Sequence, residues 1–340
     1  MTLESTNKKI GSSHKKMTRR LIARALAFSA ASIATGNVRA QAKYPDHPVR
    51  VILPFAAGGV ADITSRLVAE GLGNKLGQNF VIENNPGAGG IAAARAALSG
   101  DKDGYTLALL TNGTAISVPL FAHLPFDPLK DFAPISLFGT FETDFVTASS
   151  SNYKTLGDFL SAARAKPGTL NIGTINVGST QNLTAQLFKS MAAVDAVIVP
   201  FRATPEVVVA LLRGDIQMAI DFYAPLKPSL DNGQARAVAT GGATRSVALP
   251  NIPTVQEGGV PGFEVTAWNG LYAPAGTPKS VIDTLNAALH EVLADPAIKK
   301  RALDLGIDAK ASTPAELDAR MRADIAKWGS VIEHAHIPKQ

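Results

Sequence analysis

Val49-Arg50-Val51-Ile52-Leu53-Pro54-Phe55-Ala56-Ala57-Gly58-Gly59-Val60-Ala61-Asp62 decides the fold class of this chain. An apolar, β-branched run stops at a proline, so residues 49–53 read as a strand. The Gly-rich turn behind it opens into a helix over 62–72. Further on, Phe80-Val81-Ile82-Glu83 is a second strand, Pro86-Gly87-Ala88-Gly89-Gly90 a turn, and the Ala-rich segment to Leu98 a second helix. Asp103-Gly104 turns the chain into a third strand over 105–110. Strands and helices alternating over short connections wind into a parallel sheet with right-handed crossovers, which makes this an α/β fold.

A comparable set recurs downstream. Residues 145–147 read as a short strand, and Thr155-Leu156-Gly157-Asp158 as a capping box opening a helix. Leu170-Asn171-Ile172-Gly173 is a strand whose turn, Asn176-Val177-Gly178-Ser179-Thr180, leads into a helix through Leu187. A strand over 197–199 stops at Pro200, and Thr204-Pro205 starts a helix that carries Val207, Val208, Leu211 and Leu212 inward. Gly214-Asp215 then turns into a strand over 216–220. In the last hundred residues, 235–240 read as a strand and Thr277-Pro278 opens a helix. Thr313-Pro314-Ala315-Glu316 is another capping box, and its helix carries Leu317, Met321, Ile325, Trp328 and Ile332 as a docking face. No Pro/Ser-rich joint separates the sets, so the chain is expected to cross between two lobes on strands, near 140–144 and 234–237. That predicts a discontinuous first lobe, 43–142 with 237–340, and a second lobe, 143–236.

Of the 340 residues 46% are hydrophobic and 18% charged, and there is no Cys, which excludes thiol catalysis, Cys-type zinc sites and disulfides. The excess of base is local. The first 40 residues hold 8 bases against Glu4 alone, and the rest of the chain carries 25 bases and 27 acids, a net of −2. A basic leader on a nearly neutral body points to targeting and not to nucleic acid. The uncharged run 25–34 follows Arg24, and small residues flank cleavage candidates at Val38-Arg39-Ala40 and Ala40-Gln41-Ala42. Residues 1–42 are therefore expected to be an export signal, leaving a soluble, exported protein. Arg19-Arg20 leaves the Sec and Tat routes open, and Met17 is as good a start as Met1.

Three turns follow strand ends and precede helices: Pro54 to Gly59 ahead of Asp62, Thr111-Asn112-Gly113-Thr114, and Asn176 to Thr180. Glycines let a backbone approach a ligand, and the helix behind adds the positive end of its dipole, so a carboxylate suits such turns. In open α/β sheets the ligand crevice lies beyond the carboxyl ends of the strands, where all three fall. Asp62 also suits plain helix capping, Phe55 suits a cleft wall, and Arg202 is a cation just past a strand end. Other motifs fail. Gly87-Ala88-Gly89-Gly90-Ile91-Ala92 fits a loose dinucleotide pattern, but the next strand ends in Thr111-Asn112 with no acid for a ribose. There is no P-loop, no G-x-S-x-G and no H-E-x-x-H, and His334 and His336 suit a solvated helix end. No cofactor, metal or catalytic residue is expected.

These stretches, in this order and spacing, resemble the Bug-type substrate-binding proteins of tripartite tricarboxylate transporters over essentially the whole mature chain. The match runs through Pro54 to Asp62, Asn84 to Gly90, Asp103 to Leu107, Gly173 to Thr180, Val199 to Arg202, Leu211 to Ile216 and Gly270 to Pro278. The resemblance implies a two-lobe Venus-flytrap fold of the type II periplasmic-binding-protein kind, each lobe a mixed, mainly parallel sheet flanked by helices. It implies a small carboxylate held between the lobes by backbone N–H groups and water, then delivered to membrane subunits. Carried across by motif, the first-lobe site is Phe55, Ala56, Gly58, Gly59, Asp62, Thr111 and Asn112. The second-lobe contribution is Thr174, Gly178, Ser179, Thr180, Phe201, Arg202 and Asp221. Phe201-Arg202-Ala203 departs from the Tyr-Lys-Gly frequent in that family, Asn85 stands where Arg is frequent, and an Ala replaces the Gly expected soon after Gly89-Gly90. The expected activity is solute binding without chemistry, by a monomer. An exported hydrolase of organic-acid derivatives and a sensor for a membrane receptor are the alternatives, and the identity of the acid is left open.

Overall fold

The strand that organises the molecule, β4 (Phe132–Ala148), is concealed in the sequence by Pro134 and Gly139 and by register shifts beside both. It is 17 residues long, and the computed structural model, which describes residues 44–334 and 337–340, shows it shared by two sheets. The expected export leader lies outside the described residues, as does His336.

In the first sheet β1 (Val49–Leu53) lies between β2 (Phe80–Asn84) and β3 (Thr106–Thr111), parallel to both. β9 (Thr266–Pro274) then runs antiparallel to β3, and residues 132–142 of β4 pair antiparallel with β9. Beyond Glu142, β4 changes partners. Thr143 to Val146 pair with β7 (Met218–Phe222), and Asp144 to Ala148 with β8 (Ala235–Thr240) on the other edge. Parallel strands β5 (Asn171–Ile175) and β6 (Val197–Phe201) extend that second sheet beyond β7. The result is a two-lobe α/β fold within one compact unit, Pro45–Gln340.

Helices α1 (Val60–Leu76), α2 (Ile91–Leu98) and α3 (Asn112–Leu120) follow β1, β2 and β3. In the second lobe α4 (Leu156–Ala165) precedes β5, and α5 (Thr180–Ala192), α6 (Thr204–Arg213) and α7 (Tyr223–Asp231) follow β5, β6 and β7. After β9 come α8 (Lys279–Ala294), α9 (Pro296–Leu303) and α10 (Pro314–His334). The Thr155–Asp158 and Thr313–Glu316 capping boxes both form.

β4 changes sheet partners between Glu142 and Thr143. Thr240 still pairs with Asp144, and Val255, Val260, Phe263 and Val265 pack into the second core with Phe145 and Phe188, so the chain re-enters the first sheet only at Thr266. β9 reads poorly as a strand because Asn269-Gly270 resembles a turn. The glycine serves packing instead: a Cβ on Gly270 would lie 2.9 Å from Leu317 Cδ1, so α10 lies flush on the strand. The docking face of α10 spans both cores. Leu317 and Met321 join Trp268 and Tyr272, whereas Trp328 and Ile332 join Ile116, Leu120 and second-lobe residues.

Candidate functional site

The carboxyl ends of β1, β5 and β6 open on one gap between the lobes, and α1, α5 and α6 begin there. About 440 Å³ of space lies in that gap. Gly59, Val60 and Ala61 line it from the start of α1, Thr180 and Gln181 from the start of α5, and Ala203 and Thr204 from the start of α6. The first N–H groups of a helix have no intrahelical acceptor. At α1 and α6 the N-cap residues, Gly59 and Ala203, supply no side-chain acceptor either, whereas Ser179 caps α5 by accepting from Asn182 N at 3.1 Å. Helix starts left uncapped toward a cavity favour an anion there through their N–H groups and dipoles.

Phe55 reaches across the gap to pack against the second-lobe core. Phe141 and Phe222 meet edge to face at 4.7 Å between centroids, and with Ile175 and Trp268 they make the remaining wall apolar. A second space of about 270 Å³ adjoins the first, between Gly87, Gly89 and Gly90 on one side and Asn176 to Ser179 on the other.

Of the residues expected at the site, Phe55, Ala56, Gly59, Thr111, Thr180 and Arg202 line the larger space. Gly178 and Ser179 line the smaller one. Arg202 is exposed on the rim, and its backbone N–H donates to Glu206 Oε2 at 3.2 Å. The other six line neither space, and most of them hold the groups that do. Gly58 sits at φ +85° beside Pro205 of the facing lobe, and its N–H donates to Asp62 Oδ2 at 3.1 Å. Asp62 also accepts from Arg66 at 2.8 Å and from Asn84 Nδ2 at 3.1 Å, so it fixes the Gly-rich turn and is not the cap of α1. Burial raises its pKa, but those three partners outweigh burial and hold it below the usual carboxylate range. Asn112 accepts from Trp328 Nε1 at 2.7 Å, tying α3 to α10. Thr174 accepts from Asn182 Nδ2 at 3.1 Å and is wholly buried. Phe201 packs on the second-lobe core.

Asp221 accepts from Thr204 Oγ1 at 2.7 Å, Gln181 Nε2 at 2.9 Å and its neighbour Phe222 N at 2.9 Å. It thereby fixes two cavity-lining side chains, Gln181 and Thr204. Sequence reasoning missed both in that role. Thr204 reads as a helix cap, yet Ala203 holds the N-cap position and leaves the Thr204 hydroxyl to Asp221. It also missed Phe141, Trp268 and Asn269, because β9 and the first part of β4 did not read as strands.

Beside Asp221, in register on β4, lies Asp144, fully buried, with Oδ2 lacking a partner among the described residues. Burial, then the charges of Glu142 and Asp221, push its pKa well above the usual carboxylate range. A carboxyl whose folded pKa is raised contributes stability below its unfolded pKa, and that contribution is lost as pH rises through the folded value. Thermal stability should therefore fall as pH rises from about 4 toward alkaline values. Asp144→Asn, which has no proton to lose in this range, should flatten that fall. Melting curves of both proteins across that range check this, and parallel curves would contradict it.

Residues 64–337 match the family described as "Tripartite tricarboxylate transporter family receptor". Protein BugT of Bordetella pertussis is 29% identical over 91% of this chain and 96% of its own length. An R. palustris protein solved with adipate is 30% identical, with a TM-score of 0.84 over 87% of this chain and 100% of that one. MatC from Rhodopseudomonas palustris, solved with bound malate, is 32% identical, with a TM-score of 0.80 over 85% of this chain and 100% of that one.

Proposed function

Because this chain belongs to the tripartite tricarboxylate transporter receptor family, as a Bug-type substrate-binding protein, we propose that it captures a small carboxylate between its lobes and delivers it to the membrane subunits of such a transporter. The observation that carries this reading is the convergence of three helix starts, two without side-chain caps, on one interlobe cavity. The carboxylate sits against main-chain N–H groups of these helix starts, aided by water, so no full counter-charge has to be buried with it. The acids bound by the adipate and malate proteins are of the same chemical class. Contacts to both lobes exist only when the gap is closed, so the ligand stabilises the closed state by its differential contacts. The protein acts in the periplasm after loss of residues 1–42, as a monomer and without catalysis. Among the described residues no helix is long and apolar enough to cross a membrane.

A thermal-shift screen over carboxylic acids tests this. An acid at about 100 times its dissociation constant adds about 2.7 kcal/mol to the folded state. At least one acid is expected to raise the melting temperature while its methyl ester does not. A flat response to the whole library would contradict the reading.

A further inference from the structure

We propose that the acid this cleft selects has an apolar body, aryl or unhydroxylated alkyl, and is not a hydroxylated di- or tricarboxylate. The inference rests on the carboxylate reading above and narrows it to a ligand class. The argument is one of satisfiability. Beyond the helix starts, most of the surface a ligand body meets is Phe55, Phe141, Ile175, Phe222, Ala267 and Trp268, with Thr111 and Asn269 between them, and the only polar atom among those six side chains is the indole nitrogen. Its N–H is already given to Asp324 Oδ2 at 2.5 Å. The hydroxyl of Thr204 and one N–H of Gln181 are committed to Asp221, which leaves the Gln181 amide oxygen, its second N–H and the Thr180 hydroxyl as the polar side-chain groups at the helix starts. Among the described residues the lining holds one buried side-chain donor without a partner, Asn269 Nδ2, on a residue only 1% exposed.

A body with one acceptor can thus be satisfied. A body carrying a hydroxyl and one or two further carboxylates brings more polar atoms than these few groups can meet, and the rest would exchange water for carbon. The charge distribution acts in the same direction. Asp221 and Asp144 lie side by side in the second sheet directly behind Gln181 and Thr204, so a second carboxylate pressed against that wall meets acids. The cation Arg202 is on the exposed rim, where water screens it.

Titration calorimetry of the purified chain with benzoate, hexanoate, malate and citrate decides it. Benzoate or hexanoate is expected to bind at least tenfold more tightly than either hydroxy acid. Trp268→Gln and Phe141→Asn, which add polar groups to the wall, are expected to narrow that margin. Malate or citrate binding as tightly as the apolar acids would overturn this inference and leave the carboxylate reading standing. Absence of binding by these four and by every acid of the thermal-shift library would remove both.

Discussion

Gly178→Val is expected to weaken ligand binding by about 10- to 100-fold while the protein still folds cooperatively. Gly178 sits at φ +83°, in the left-handed region where a β-branched residue is strained. The strain is local to the second lobe and costs about 1–2 kcal/mol, which a chain of this size can absorb. What matters for binding lies across the gap. An added Cβ would stand 3.0 Å from Phe121 Cε2 and 3.4 Å from Gly89 N, both in the first lobe. A valine there acts as a wedge against closure, and overpacking of this kind costs about 1–3 kcal/mol, or roughly 5- to 150-fold in affinity. Calorimetry against the best acid, alongside urea unfolding, separates the two effects. Wild-type affinity in the variant would mean that the Gly178 turn does not close on Gly89 when ligand binds.

Asp221→Ala is expected to cost more in stability than any other single change at the site, about 3–5 kcal/mol, because each buried donor left without its acceptor costs about 1–3 kcal/mol. Three donors lose their acceptor at once: the Thr204 hydroxyl, the Gln181 amide and the Phe222 N–H. Burial raises the Asp221 pKa, and the three hydrogen bonds only partly oppose that rise. Release of Gln181 and Thr204 into the cavity should also weaken binding at least tenfold. Asp221→Asn keeps an acceptor and should recover most of the stability. Denaturation midpoints and calorimetry on the pair check this, and an alanine variant with wild-type stability would show that the three bonds contribute nothing net.

What could be read from the sequence follows from where the information is local. The βαβ units, the Gly-bearing turns and both capping boxes are written in residues within a few positions of one another, and they formed as expected. The Pro54 to Gly59 and Asn176 to Ser179 turns therefore located both sides of the gap. Residues 145–147 were also legible as strand, being the apolar end of β4. Long-range pairing was not. β9 looks like a turn at Asn269-Gly270 because its reason for glycine is Leu317 of α10, 47 residues away in sequence. With β9 unread, Trp268 and Asn269 could not be placed in the cavity wall. Asp62, Thr174 and Asp221 were expected at the ligand, and none of the three lines either space in the gap: sequence position brings a polar residue near a turn but does not say whether its side chain faces the gap or the backbone.

The most direct test of the main-chain carboxylate grip is a crystal structure with an acid that raises the melting temperature. The expected result is a carboxylate between the lobes, its oxygens about 2.7–3.2 Å from backbone nitrogens in the first turn of α1 and from those of Thr180 or Gln181. A carboxylate paired with the Arg202 guanidinium on the rim, with both helix starts left to solvent, would contradict it.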